Sequence, residues 1–172
     1  MGEMYRLSRS ILAAFGVEFS SIQVDTSPSN EAAAKLRAGN LHAMFAVGGY
    51  PAESVRTATM GSAAYLVPIE GPAPERLRLD SRFLQLALIP GGTYPGQTHS
   101  IRTMGVQNIL VCRRDLDEPV VYELTKQFFA ALPRLSALVS SLRLINVNQA
   151  SATPIPLHDG AARYYREREL FR

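Results

Sequence analysis

Cysteine occurs once in this sequence, so no disulfide can form within the chain, and a small cross-linked scaffold is excluded. The lone Cys112 follows the largely apolar stretch Val106 to Val111 and is expected to be a buried small hydrophobe rather than a reactive thiol. Histidine is almost as scarce. His42, His99 and His158 stand far apart, without a Cys or His partner at ligand spacing, which argues against a zinc site. No apolar run approaches the roughly 18 residues that would suggest a membrane span. The phosphate-loop lysine motif, the Rossmann glycine fingerprint and the nucleophile elbow are all missing, as are internal repeats and low-complexity tracts. No cofactor, no metal and no catalytic residue is therefore expected. The start carries Glu3 early and only the short apolar run Ile11 to Val17, unlike a secretory signal, and Arg6 breaks the myristoylation pattern. As written, the chain is expected to stay in the cytoplasm.

What is present fits an ordinary globular protein. At 172 residues, 47% hydrophobic and 19% charged, the chain can build one core or two small lobes. Its formal charge of +3 and pI near 9.2 could favour anions, but the arginines are scattered among acids, so no nucleic-acid partner is expected. Asp115, Asp117 and Glu118 precede a helix, where the dipole alone accounts for acids, and are set aside as catalytic groups. Arg163, Arg166, Arg168 and Arg172 alternate with Glu167 and Glu169 as on a solvated helix face, with Tyr164 and Tyr165 docking that helix.

Met4, Leu7, Ile11 and Phe15 recur at helical spacing and Gly16 supplies a stop. A strand is expected around Ser21 to Val24. Ser27 as N-cap, Pro28 as first helical residue and Glu31 near the positive dipole end predict a helix running to Gly39. Leu41 to Val47 is apolar at nearly every position and predicts a strand covered on both faces, followed by the turn Gly48-Gly49-Tyr50-Pro51. A helix from Pro51 through Val55 and Ala58, then a strand Ala63 to Ile69, completes an alternation that argues for parallel α/β structure. Residues 70–100 hold one short helix and the turn-rich loop Ile89 to Gln97, where a lobe crossing is placed. Thr103 to Cys112 reads as a strand. Val121, Leu124, Phe128 and Leu132 mark a helix interrupted by Pro133, with a second helix to Leu144, and Asp159 caps a last helix, Gly160 to Leu170.

Two loops carry candidate binding positions. Gly48 and Gly49 after a strand permit close backbone approach to a ligand, though a tight turn needs the same residues. Tyr94, between glycine and proline on the lobe crossing, is either held toward a cleft or packed on the surface.

Several segments, taken in order, resemble the TAXI family of solute-binding proteins from TRAP transporters: Gly39 to Pro51, Gly92 to Gln97, Thr103 to Asp117 with Val121 to Lys126, and Pro156 to Glu167. The resemblance runs from about Ile11 to near the end and matches the family's C-terminal half. It implies a partial type II periplasmic-binding-protein fold of the α/β class: a lobe with a parallel or mixed sheet at residues 1–85, a lobe-crossing loop, strand and helices at 86–145, and a C-terminal segment and helix at 146–172. It also implies a periplasmic location, TRAP membrane subunits as partners if a full-length form exists, and a small carboxylate or amino acid such as glutamate as ligand. Carried over residue by residue, the cleft positions are Asn30, Glu31, Phe45, Gly48, Gly49 and Tyr94. A helix start near Asn30 offers N–H groups to a carboxylate, while Glu31 opposes that charge unless it points away or binds an amino group. The family's signal peptide, first lobe and preceding strand have no counterpart in these residues, and Asp159 stands where members often carry proline.

The strand Thr103 to Cys112 would then have open edges, which predicts a homodimer or larger assembly. A cytoplasmic oligomeric sensing or interaction domain of the same fold is the alternative function; an enzyme has no supporting constellation.

Overall fold

The computed structural model describes residues 2–62, 64–81 and 83–169. The chain divides into two compact units, Met1–Gln107 and Asn108–Arg172, each with its own buried residues. Ala63, Leu170 and Arg172, to which the expected strand and last helix extend, lie outside the described residues.

The first unit opens with α1 (Glu3–Ala14), whose apolar side buries Ile11. Gly16, at φ +75°, ends it: the Gly16 and Val17 N–H groups donate to the carbonyls of Ala13 and Leu12 at 3.0 and 2.9 Å, a closure that a left-handed residue permits and that glycine adopts at least cost. Tyr5 meets Phe19 edge to face at 5.2 Å, folding the next turn back on the helix. Next come α2 (Ser29–Arg37) and α3 (Glu53–Thr59), which pack together; the buried residues are Ala33 on one and Ser54, Ala58 and Thr59 on the other. α2 begins one residue later than predicted, with Pro28 at the cap, and α3 begins at Glu53 rather than Pro51. The helix α4 (Pro72–Asp80) is the short helix expected after Gly71; it touches α1 and leads into the sheet.

That sheet differs from the expected one. Its strands β1 (Leu84–Ile89) and β2 (Ile101–Val106) pair antiparallel, from Leu84 opposite Val106 to Ile89 opposite Ile101. The fold remains α/β and mixed in kind, consistent with a partial periplasmic-binding fold, but no parallel ladder occurs among the described residues. Ser21 to Val24 lies largely outside regular structure, its start in a single 3-10 turn at Phe19–Ser21. Leu41 to Val47 forms no strand; Leu41, Met44 and Phe45 are half-buried and Val47 is exposed. An apolar run becomes a buried strand only when neighbouring strands satisfy its backbone, and none lies beside this one. The segment ending at Ile69 is tied to β2 by one bond, from the Ile69 N–H to the Arg102 carbonyl at 3.0 Å.

In the second unit the expected strand fails beyond Val106: residues 107–113 have no regular structure, and Leu110, Val111 and Cys112 are exposed, not buried as expected. Then α5 (Glu118–Leu138) runs unbroken through Pro133, which sits on its exposed side and sacrifices one helical hydrogen bond without disturbing buried Leu132. The continuation to Leu144 is a 3-10 turn, Ser140–Leu144. The last helix, α6 (Asp159–Glu167), packs on α5. Tyr164 and Tyr165 are buried there, as predicted, with Phe129 stacked on Tyr164 at 5.6 Å. A Cβ on Gly160 would collide with the α5 backbone, 2.6 Å from the Tyr122 nitrogen and closer still to the Glu118 carbonyl. His158 caps α6 by accepting the Gly160 N–H on Nδ1 at 3.2 Å, while its Nε2 reaches the Leu116 carbonyl at 3.1 Å.

Candidate functional site

The connection between β1 and β2 is closed by its own polar groups. Gly92 donates to the Gln97 carbonyl at 2.7 Å, and Gln97 Nε2 reaches the carbonyls of Ile89, Pro90 and His99 at 3.3, 3.1 and 2.9 Å. Gln97 Oε1 in turn accepts the Tyr94 N–H at 3.2 Å. One glutamine therefore braces the whole turn, and the loop presents a preset surface.

Tyr94 points inward from this loop and is only 4% exposed. Its hydroxyl accepts the Ala52 N–H at 2.9 Å, satisfying a backbone donor at the start of α3, immediately after the Gly48 to Pro51 turn. Two segments carrying predicted positions are thus brought together: the tyrosine loop and the end of the glycine turn. Phe45 is half-buried, Gly48 is exposed at φ +158°, and Gly49 is half-buried; no bond joins these three to Tyr94.

Asn30 and Glu31 sit in the first turn of α2, where Glu31 is already engaged. Lys35 Nζ lies 2.9 Å from both Glu31 and Asp25 and donates to Ser27 Oγ at 2.6 Å. The Ser27 side chain, then Lys35 and the Ser27 amide, hold the Asp25 carboxyl at about 2, well below its ordinary range. The ammonium is raised by the same two carboxylates, and Glu31 is lowered chiefly by Lys35. This resolves the charge conflict at the helix start: Glu31 turns to Lys35.

Beside Tyr94 lies a concavity of about 360 Å³ lined by Arg56, Met60, Gly92, Thr93, Tyr94 and Pro95. Arg56 projects from α3, is exposed, and makes no ion pair among the described residues. Thr93 Oγ1 donates to the Pro90 carbonyl at 2.6 Å, which leaves its lone pairs to accept. A guanidinium, a hydroxyl and an apolar wall suit a small anion with a short hydrocarbon body. Of the predicted positions only Tyr94 lines this space. Arg56 was not foreseen; its only sequence signal is a cation one helical turn after the start of a helix that follows a glycine turn. A smaller cavity of about 180 Å³ opens between Thr59, Tyr65 and Leu66 and the far side of the same loop at Gln97 to His99. Among the described residues no group of His, Cys, Asp and Glu could hold a metal ion, and no helix is long and apolar enough to cross a membrane.

A mixed α/β unit with a braced loop beside a shallow, mostly apolar concavity is consistent with a partial periplasmic-binding fold. Residues 3–168 match the NMT1-like family, so the chain belongs to that family. The family is related to periplasmic binding proteins, and its general function is of the solute-binding type.

Proposed function

We propose that this chain serves as the solute-binding component of a TRAP-type transporter of the TAXI kind, taking a small carboxylate such as glutamate beside Tyr94. The observation that carries this reading is Arg56, which makes no ion pair among the described residues, at the rim of a concavity whose other wall is the Gln97-braced loop. Arg56 provides a two-pronged donor for the carboxylate, the Thr93 hydroxyl a further polar contact, and Met60, Tyr94 and Pro95 the apolar body of the site. The lobe at 1–85 contributes Arg56 and Met60; the crossing segment contributes residues 92–95. The role is binding rather than catalysis, in the periplasm, with TRAP membrane subunits as partners.

Thermal shift and calorimetry with glutamate, aspartate and C4 to C5 dicarboxylates test the reading. A ligand at a hundredfold excess over Kd adds about 2.7 kcal/mol to stability, a readily measured rise in Tm. Arg56→Gln is expected to remove the rise while leaving the ligand-free Tm unchanged, since Arg56 is exposed. Arg56→Lys keeps the charge but not the fork and is expected to recover only part of the affinity. A full panel without a shift, or a shift that Arg56→Gln leaves intact, counts against the site.

A further inference from the structure

β1 is an edge strand without the usual protections. Leu84–Ile89 contains neither charge nor proline, and Leu86 and Leu88 are 55% and 51% exposed. Which backbone groups face outward follows from the bonds of its neighbours. The Arg102 carbonyl of β2 accepts from Ile69, so it points away from β1, and antiparallel alternation assigns the bonded pairs to 85 with 105, 87 with 103 and 89 with 101. Leu84 agrees: its N–H turns away to the Ser81 carbonyl at 3.2 Å. The N–H and C=O groups of Leu86 and Leu88 therefore face outward, and no protein partner meets them among the described residues.

We propose that this edge pairs with the same edge of a second copy, β1 antiparallel to β1, about a two-fold axis through Leu86. In that register Leu86 exchanges both backbone bonds with its own copy, and Leu88 donates to the Leu84 carbonyl of the other chain. Side chains match as well, Leu86 beside Leu86 and Leu84 beside Leu88, forming one leucine ladder across the junction. With the axis moved to Ala87, Leu86 and Leu88 pair with each other and the Leu84 carbonyl faces Pro90, which has no N–H; the bond count is the same, and it is the match of Leu86 to Leu86 that selects the Leu86 axis. No like charges meet. Arg102 lies on β2, beyond the junction, and its guanidinium is 3.6 Å from Glu70. A six-residue edge with its leucines buries less than the roughly 1,200 Å² of a tight complex, so the dimer is a concentration-dependent one. Self-association is thereby placed at β1 rather than at the Thr103 to Cys112 stretch; β2 carries β1 along one edge and the Ile69 bond to Arg102 at the start of the other.

Sedimentation velocity on the whole chain, from about 1 to about 500 µM, is expected to show a monomer passing to a dimer. Leu86→Lys sets two ammonium groups against each other at the axis and is expected to weaken association roughly tenfold or more. The register is read separately with thiols in a Cys112→Ser background, because Cys112 is exposed. Leu86→Cys places two thiols on directly opposed residues, with Cα atoms about 5.5 Å apart, inside disulfide reach, and is expected to oxidise to a covalent dimer. Gln85→Cys, opposite Ala87 of the other copy, is expected to remain uncrosslinked. A monomer at every concentration, a Leu86→Lys variant that associates like the parent, or equal crosslinking at both positions overturns the proposal. So does a monomer that instead captures an added uncharged strand-forming peptide on β1.

Discussion

Lys35 is the residue on which the start of α2 turns, because Asp25, Ser27 and Glu31 all converge on its ammonium. Asp25 is held at about 2 against an ordinary 3.8, so its folded-state pKa is depressed. A depressed carboxylate adds stability that is fully present above about 3.8 and is lost as pH falls through about 2. Acid titration of the folded chain is therefore expected to destabilise the first unit in that window, and Asp25→Asn is expected to flatten the pH dependence there. An Asp25→Asn variant with the parent's acid profile would show that the Lys35 cluster does not couple to folding. At this scale the sequence was readable where a side chain acts locally. Glu31 at a helix start is visible in the sequence, and its ion pair with Lys35 four residues on follows helical spacing. Arg56 and Tyr94 were not readable as a pair, because they sit in separate segments that only the folded loop brings to one concavity.

Helices were legible as elements because their ends are written in local chemistry. Gly16 closes α1 and Asp159 opens α6 within a residue of expectation. Strands were not, since a strand is defined by the backbone beside it. Leu41 to Val47 has the composition of a buried strand and no ladder, while β1, with Leu84, Leu86 and Leu88 at alternate positions beside the turn-rich loop, takes its identity from β2. The packing of α6 on α5 tests how tightly two well-signed helices meet. Gly160 leaves no room for a methyl group against the Tyr122 nitrogen and Glu118 carbonyl, and backbone cannot yield as a flexible side chain would. Gly160→Ala is expected to cost about 3 kcal/mol, near the upper end for overpacking, seen as a lowered Tm and loss of the near-ultraviolet signal of Tyr164 and Tyr165. An unchanged Tm would mean that the helices can separate there at little cost.

The two units each carry their own buried residues, Ile11, Ala33, Ala58 and Tyr94 in one and Val121, Leu132, Tyr164 and Tyr165 in the other. Residues 110–120 contrast with both: every one of them is exposed, and up to Asp117 they lie outside any helix or strand. Proteases need an extended, unbonded segment to enter their active sites, so cleavage is governed by local opening rather than by residue type alone. Arg113 and Arg114 stand in this segment, where the backbone–backbone bond ahead of the helix start is a long 3.4 Å contact from the Leu116 N–H to the Arg113 carbonyl. Most other arginines lie on helices, whose bonds must break first. Brief trypsin treatment is accordingly expected to cut first at Arg113 or Arg114 and to release two fragments matching the compact units, identified by mass, before smaller peptides form. Primary cleavage within α2, α3 or α5, or simultaneous decay to many peptides, would mean that the units do not hold their own cores. Cleavage at Arg113 and Arg114 would instead show that α5 and α6 keep a fold of their own once severed from β1 and β2.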